Sequence, residues 1–140
     1  AGRVMVAANC VGQAQRALDL SLQWSADRKQ FGQPIGSYQG VSFKLADMAT
    51  QIRAAELLTL HTAWKMDQGS MTDGEAGMAK LFASEVLGKV ADEAVQIFGG
   101  RGVKSGEITE SLYREIRALR IYEGATEVQK LIIARELLKA

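Results

Sequence analysis

One proline, one cysteine and one histidine in 140 residues exclude a good deal. With Pro34 as the sole proline, long helices meet almost no covalent obstacle. Cys10 alone can form neither an internal disulfide nor a cysteine metal cluster, and a free thiol fits a reducing compartment. His61 alone leaves no histidine-based metal site or His–Ser relay, so no metal is expected. The net charge of +1 provides no basic field, and nucleic acid has no compositional support as a partner. No apolar run reaches the roughly 20 residues that cross a bilayer, so no membrane span is expected. No secretory signal pattern stands at Ala1. The expected location is intracellular: cytoplasmic in a bacterium, the mitochondrial matrix in a eukaryote. The chain opens without Met, inside an amphipathic pattern, as a domain cut from a longer protein would. Residues 1–140 are thus expected to form one domain, with room for a core but short for a complete cofactor enzyme.

What remains is rich in Ala, Leu, Glu, Lys, Arg and Gln, which are helix formers. Val4, Ala7, Val11, Ala14, Leu18 and Leu22 recur at three- and four-residue steps and predict a first helix fading near Trp24 to Asp27. Gly2, Ala8 and Gly12 are small enough for a neighbouring helix to approach. Gly32, Pro34 and Gly36 then break the pattern. A second helix is expected from Tyr38 to Met66, capped by Ser37, with Val41, Leu45, Met48, Ile52, Ala55 and Thr59 on one face. After the turn Asp67–Ser70, Thr72-Asp73-Gly74-Glu75 matches a capping box and predicts a third helix start. That helix is apolar nearly all round to Phe98, as one surrounded by others would be, and Gly99-Gly100 stops it. A shorter segment, Glu107 to Leu119, is expected to turn Ile108, Leu112, Ile116 and Leu119 inward. Val128, Leu131, Ile132, Arg135 and Leu138 mark the last helix. The expected fold is all-α, an antiparallel up-and-down bundle of four long helices and one shorter one.

Two stretches point to chemistry. In Ile121-Tyr122-Glu123-Gly124, a carboxylate follows two large apolar side chains and precedes a glycine and a helix start. Apolar enclosure disfavours the charged form, making such a carboxylate a usable proton acceptor. A residue favouring a helix N-terminus through its dipole would look the same. In Arg28-Lys29-Gln30-Phe31-Gly32-Gln33-Pro34-Ile35, a basic pair closes a helix and an aromatic sits in a turn. A guanidinium beside an aromatic suits a phosphate-bearing, planar-ringed ligand, although cations also simply cap helix ends. Phe98-Gly99-Gly100-Arg101-Gly102 lacks the strand and spacing of a dinucleotide or phosphate loop and reads as a glycine helix stop. Asp92-Glu93 and Glu107…Glu110 read as solvated helix charge, and Trp24 and Trp64 as core or interface filling.

Together these segments resemble the C-terminal domain of the acyl-CoA dehydrogenase family. The resemblance runs in order through nearly the whole chain: Val11–Leu18, Arg28–Ile35, Gln39, Leu45–Met48, Gln96–Gly102, Tyr113–Arg117, Ile121–Gly124 and Ile132–Arg135. It implies the last domain of a flavoenzyme that also has a helical N-terminal and a β-rich middle domain. Such enzymes oxidise acyl-CoA thioesters with FAD, assemble as dimers or tetramers, and pass electrons to an electron-transferring flavoprotein. By the same resemblance Glu123 matches the catalytic base. Arg3, Tyr122 and Gly124 match positions near the acyl thioester. Arg28, Gln30, Phe31, Gln39, Gln96, Gly99, Gly100 and Thr126 match FAD-proximal positions, some of them facing a neighbouring subunit's cofactor. Some relatives take their base from the position of Gly2, where glycine cannot serve.

The chain departs from the pattern in places. Ala125 replaces the usual threonine, leaving Thr126, one place later, as the candidate hydroxyl. Glu127 stands where glutamine is frequent, and Lys104–Ser111 lacks a common proline and arginine. The acyl group stays open. An acyl-CoA oxidase or related flavoenzyme shares the same features, as does a non-enzymatic helical interaction domain.

Overall fold

Three long helices lie side by side in the computed structural model, which describes residues 1–139. α1 (Gly2–Asp27), α2 (Gln39–Asp67) and α3 (Asp73–Phe98) have 26, 29 and 26 residues. α4 (Ile108–Glu115) is short, and α5 (Thr126–Leu138) has 13 residues, half the length of its neighbours. Contacts at the ends fix the directions. Arg3 meets Asp73 and Trp24 stacks on Phe98, so α1 and α3 run parallel. Lys44 pairs with Glu93, and Lys65 with Glu75, so α2 runs against α3. Glu136 near the end of α5 reaches Thr72 at the start of α3, so α5 also runs against it. The expected all-α bundle is present, with one addition. Lys29–Gln30 (β1) and Gln33–Pro34 (β2) pair antiparallel across Phe31-Gly32.

α3 is central, as its all-round apolar pattern predicts. Val86, Leu87, Val90, Ala94 and Ile97 are buried, together with the small residues Ala79 and Ala83. Its capping box forms in full: Glu75 N donates to Thr72 Oγ1 and Thr72 N to the Glu75 carboxylate. Met48, Ile52, Ala55 and Thr59 are buried on the expected face of α2.

Several sequence expectations do not hold. The buried stripe of α1 passes through Ser21 and Ser25, whereas Leu22 is exposed. The Ser21 hydroxyl donates back to Ala17 O at 2.7 Å, which lets a hydroxyl sit in the core at little cost. Ala8 and Gly12 are exposed, and no atom lies within 4 Å of a β-carbon built on Gly12, so no helix approaches there. Ser37 belongs to a 3-10 turn, and Tyr38 takes the cap position of α2 without a side-chain bond. Ile108 is exposed, as are Val128, Leu131 and Leu138 of α5, while Gln129 is buried. Apolar periodicity marks a face to be covered but does not say whether this domain covers it.

Candidate functional site

The loop between α4 and α5 begins with a 3-10 turn, Ile116–Arg120, whose Ile116 and Leu119 anchor it in the core. Two left-handed residues follow, Glu123 at φ 54° and Gly124 at φ 90°. Glycine tolerates this freely, whereas for an L side chain it costs roughly 1–2 kcal/mol. The turn is held from beneath. Lys80 Nζ donates to Gly124 O at 2.8 Å, and Gln129 Nε2 donates to Glu123 O and Gly124 O, each at 3.0 Å. A β-carbon at Gly124 would collide with Gln129 Nε2, so glycine is required for space as well as for φ. α5 starts at Thr126 with Ala125 as its cap and no side chain on its first N–H groups.

The Glu123 carboxylate extends toward the start of α1, where Oε2 lies 2.8 Å from a β-carbon built on Gly2. The small residue expected to admit a helix instead admits this carboxylate. The expected apolar enclosure is absent from this domain, because Ile121, Tyr122 and Glu123 are all exposed. The left-handed turn lifts the stretch clear of the bundle. Arg3 is already engaged by α3, donating to Asp73 O at 2.9 Å and Asp73 Oδ1 at 2.7 Å. Thr126 Oγ1 donates to Glu85 Oε1 at 2.9 Å, and Glu85 also pairs with Arg120 at 3.0 Å. The Thr126 hydroxyl thus directs its proton to Glu85.

Lys80 was invisible to periodicity, and it is the largest of the fully buried side chains, 0% exposed. Burial holds its ammonium below the usual lysine range, against the opposing influence of Cys10, Glu85 and Glu123. Burial likewise pushes the Cys10 thiol up to about 11, with Lys80 pulling the other way.

A second constellation lies at the other end of α1. Trp24, Arg28, Gln30, Ile35 and Ile97–Arg101 line an open cleft of ≈ 500 Å³. Trp24 and Phe98 stack at 5.0 Å, and the guanidiniums of Arg28 and Arg101 stand 5.9 and 5.1 Å from the Trp24 ring. Gly99, at φ 63°, ends α3, and nothing lies within 4 Å of a β-carbon at Gly99 or Gly100. Four of the sequence candidates, Arg28, Gln30, Gly99 and Gly100, therefore meet in one cleft. Gln96 and Gln39 are exposed and outside its wall. Phe31 is 92% exposed at the tip of the hairpin, with φ 53° beside Gly32 at 85°, the signs of a type I′ turn. Trp24 and Arg101, read from sequence as filling and as part of a glycine stop, build the cleft floor and its second cation.

The two constellations stand apart. α1 separates them by about 39 Å, given 1.5 Å per residue over its 26 residues. One small ligand cannot touch both ends of a single chain.

The family model described as acyl-CoA dehydrogenase, C-terminal domain, matches residues 1–138. The chain belongs to the acyl-CoA dehydrogenase family. A 3-(aryl)acrylate reductase of Clostridium sporogenes (strain ATCC 15579) is 46% identical over 138 residues, 99% of this chain and 37% of that protein. Butyryl-CoA dehydrogenase from Megasphaera elsdenii superposes with a TM-score of 0.95 at 42% identity, over 98% of this chain and 36% of that one. PigA, solved with FAD and proline, superposes with a TM-score of 0.94 at 31% identity, over 99% of this chain and 37% of that one. The chain thus spans little more than a third of the length of these acyl-CoA dehydrogenase relatives. Among its described residues no helix is long and apolar enough to cross a membrane, and no cluster of His, Cys, Asp or Glu is arranged to hold a metal ion.

Proposed function

We propose that this domain supplies the general base and part of the flavin site of an FAD-dependent acyl-CoA dehydrogenase, a longer protein with a helical N-terminal and a β-rich middle domain. The observation that carries the reading is the Glu123 carboxylate, held in a pinned left-handed turn and open to whatever closes over it. Glu123 removes the α-proton of an acyl-CoA thioester, and closure by the missing domains gives the low-dielectric surroundings that poise it. Bound FAD supplies the acceptor for the β-hydrogen, which leaves as hydride. Tyr122, Gly124 and Arg3 flank the acyl thioester.

The cleft at the far end of α1 fits part of FAD. Arg28 and Arg101 offer guanidiniums for its phosphates, the Trp24–Phe98 pair offers an apolar wall, and Gly99 and Gly100 allow close backbone approach. Gln30, Phe31, Gln39 and Gln96 border that end of the bundle. The roughly 39 Å between the two ends supports a cofactor shared between subunits: Arg28 serves the flavin of a second copy. Self-association as a dimer or tetramer and an electron-transferring flavoprotein as acceptor complete the reading. Thr126, already bonded to Glu85, is the least supported of the cofactor contacts.

A second reading concerns direction, and a specific observation favours it. The Clostridium sporogenes relative is named a reductase, so the same carboxylate, starting protonated, can deliver the α-proton to an enoyl substrate. In either direction, Glu123→Gln in the full-length flavoenzyme keeps shape and FAD content. It slows acyl-CoA bleaching of the flavin by about a hundred- to ten-thousand-fold. Bleaching at the parental rate would remove Glu123 from the reaction and leave the helix-terminus role.

A further inference from the structure

We propose that Lys80 and Gln129 are positioning residues for Glu123: they clasp the carbonyl oxygens of its left-handed turn and so fix where the carboxylate stands. The inference rests on the reading of Glu123 as the base.

Two features single these residues out. Both side chains are buried, and they come from different helices, α3 and α5, so the turn is tied to the bundle from two sides. Their three hydrogen bonds go to the carbonyls of Glu123 and Gly124 and nowhere else among the described residues. Among the described residues no backbone N–H donates to either carbonyl. Without Lys80 and Gln129 the turn's two carbonyl oxygens have no partner among those residues.

A lysine is also a costly choice for the interior. Burying an ammonium is unfavourable unless it is paired, and an aliphatic side chain would fill the same space without that penalty. Burial lowers the lysine's basicity on balance, and Cys10, Glu85 and Glu123 oppose it only in part. A charged donor makes a stronger hydrogen bond than a neutral one, which suits a turn held in a conformation an L residue avoids. Gln129 adds direction. Its Nε2 spans two successive carbonyls, which holds both peptide planes, while its own Oε1 faces α3 near Gly77 without a partner. An amide left half-satisfied to hold two carbonyls is placed for that turn, since packing alone would favour an apolar residue.

The base must stand about 3–3.5 Å from the α-carbon to work, and a shift of about 1 Å from that position can cost around a hundredfold. Lys80 and Gln129 touch neither substrate nor flavin in this reading, so their effect passes through Glu123.

The test uses the full-length holoenzyme and anaerobic flavin bleaching by whichever of butyryl-, octanoyl- or palmitoyl-CoA reduces the parental flavin. Lys80→Met and Gln129→Met are each expected to slow bleaching at saturating acyl-CoA by about 10- to 100-fold. FAD content and half-saturating acyl-CoA should stay within about twofold. Lys80→Gln, which keeps a donor, should recover part of the rate. In the Glu123→Gln background the Lys80→Met change should add nothing, because its route to the reaction is gone. Parental rates in both Met variants would overturn the proposal. So would equal slowing with and without Glu123, or failure of all three variants to fold around FAD, since each outcome assigns these residues to the fold alone. If no acyl-CoA bleaches the parental flavin, or Glu123→Gln bleaches it unimpaired, the reading of Glu123 is what fails.

Discussion

Gly2 and Glu123, at opposite ends of the sequence, share one space: the carboxylate Oε2 lies 2.8 Å from where a β-carbon on Gly2 would stand. Any side chain at position 2 must displace the carboxylate or be displaced by it. The absence of a side chain there is therefore part of how Glu123 is placed.

Gly2→Ala in the full-length enzyme is expected to leave the fold and FAD content intact while slowing flavin bleaching by about tenfold or more. The displaced group is the tip of a flexible side chain, so stability should hardly change. An anaerobic stopped-flow trace of flavin absorbance checks this, and an unchanged rate would show that the carboxylate has slack at its tip.

The start of α3 is capped twice. Besides the capping box, Glu136 of α5 accepts from Thr72 Oγ1 at 2.6 Å and from Gly74 N at 2.7 Å. Thr72→Ala removes the hydroxyl that serves both arrangements and should cost about 1 kcal/mol or somewhat more. Gly74→Ala should also cost stability where alanine's better helix propensity does not make it up, because its β-carbon would come within 2.6 Å of the Glu136 carboxylate and drive it off both bonds. Urea unfolding followed by circular dichroism gives both values, and the spectrum of the folded domain should be overwhelmingly helical.

Glu75 carries the acid dependence of that corner. Its hydrogen bond from Lys65, with that from Thr72 N, holds the carboxyl below its usual range. The folded state thus binds this proton less readily than the unfolded state. The stabilisation is complete above the ordinary carboxylate range near pH 4.3 and is lost as pH falls through the lower folded value. Glu75→Gln should be less stable than the parent at pH 7, and the gap should close in acid. A gap independent of pH between 7 and 3 would assign the loss to the cap bonds alone.

Much of this was legible in the sequence, and the illegible part has a common cause. The capping box at Thr72 and the all-round apolar α3 are local patterns, and both formed as expected. Glu123 was legible as a carboxylate before a glycine near a helix start, but its own left-handed φ was not. Its surroundings were not, because the enclosure expected from Ile121 and Tyr122 is a tertiary matter. Lys80 reads along the chain as one more helix charge, and only the fold brings it beneath residue 124. Trp24 could be recognised as needing a packing partner, but Phe98 and the two guanidiniums reach it through the parallel run of α1 and α3. Leu131 and Leu138 fit an apolar stripe and are still exposed. Periodicity reports that a face wants cover, not which chain provides it.

If the proposed centre is shared between subunits, the length of α1 has a genetic consequence. A centre that takes Glu123 from one chain and Arg28 from another can be rebuilt from two broken copies. Chains carrying Glu123→Gln and chains carrying Arg28→Ala should each be inactive or feeble alone. Co-expressed, they should form mixed pairs in which one centre inherits both defects and the other inherits neither. Activity returning on co-expression, and absent when separately purified proteins are mixed without exchange, would mark two alleles of one gene as complementing across a subunit boundary.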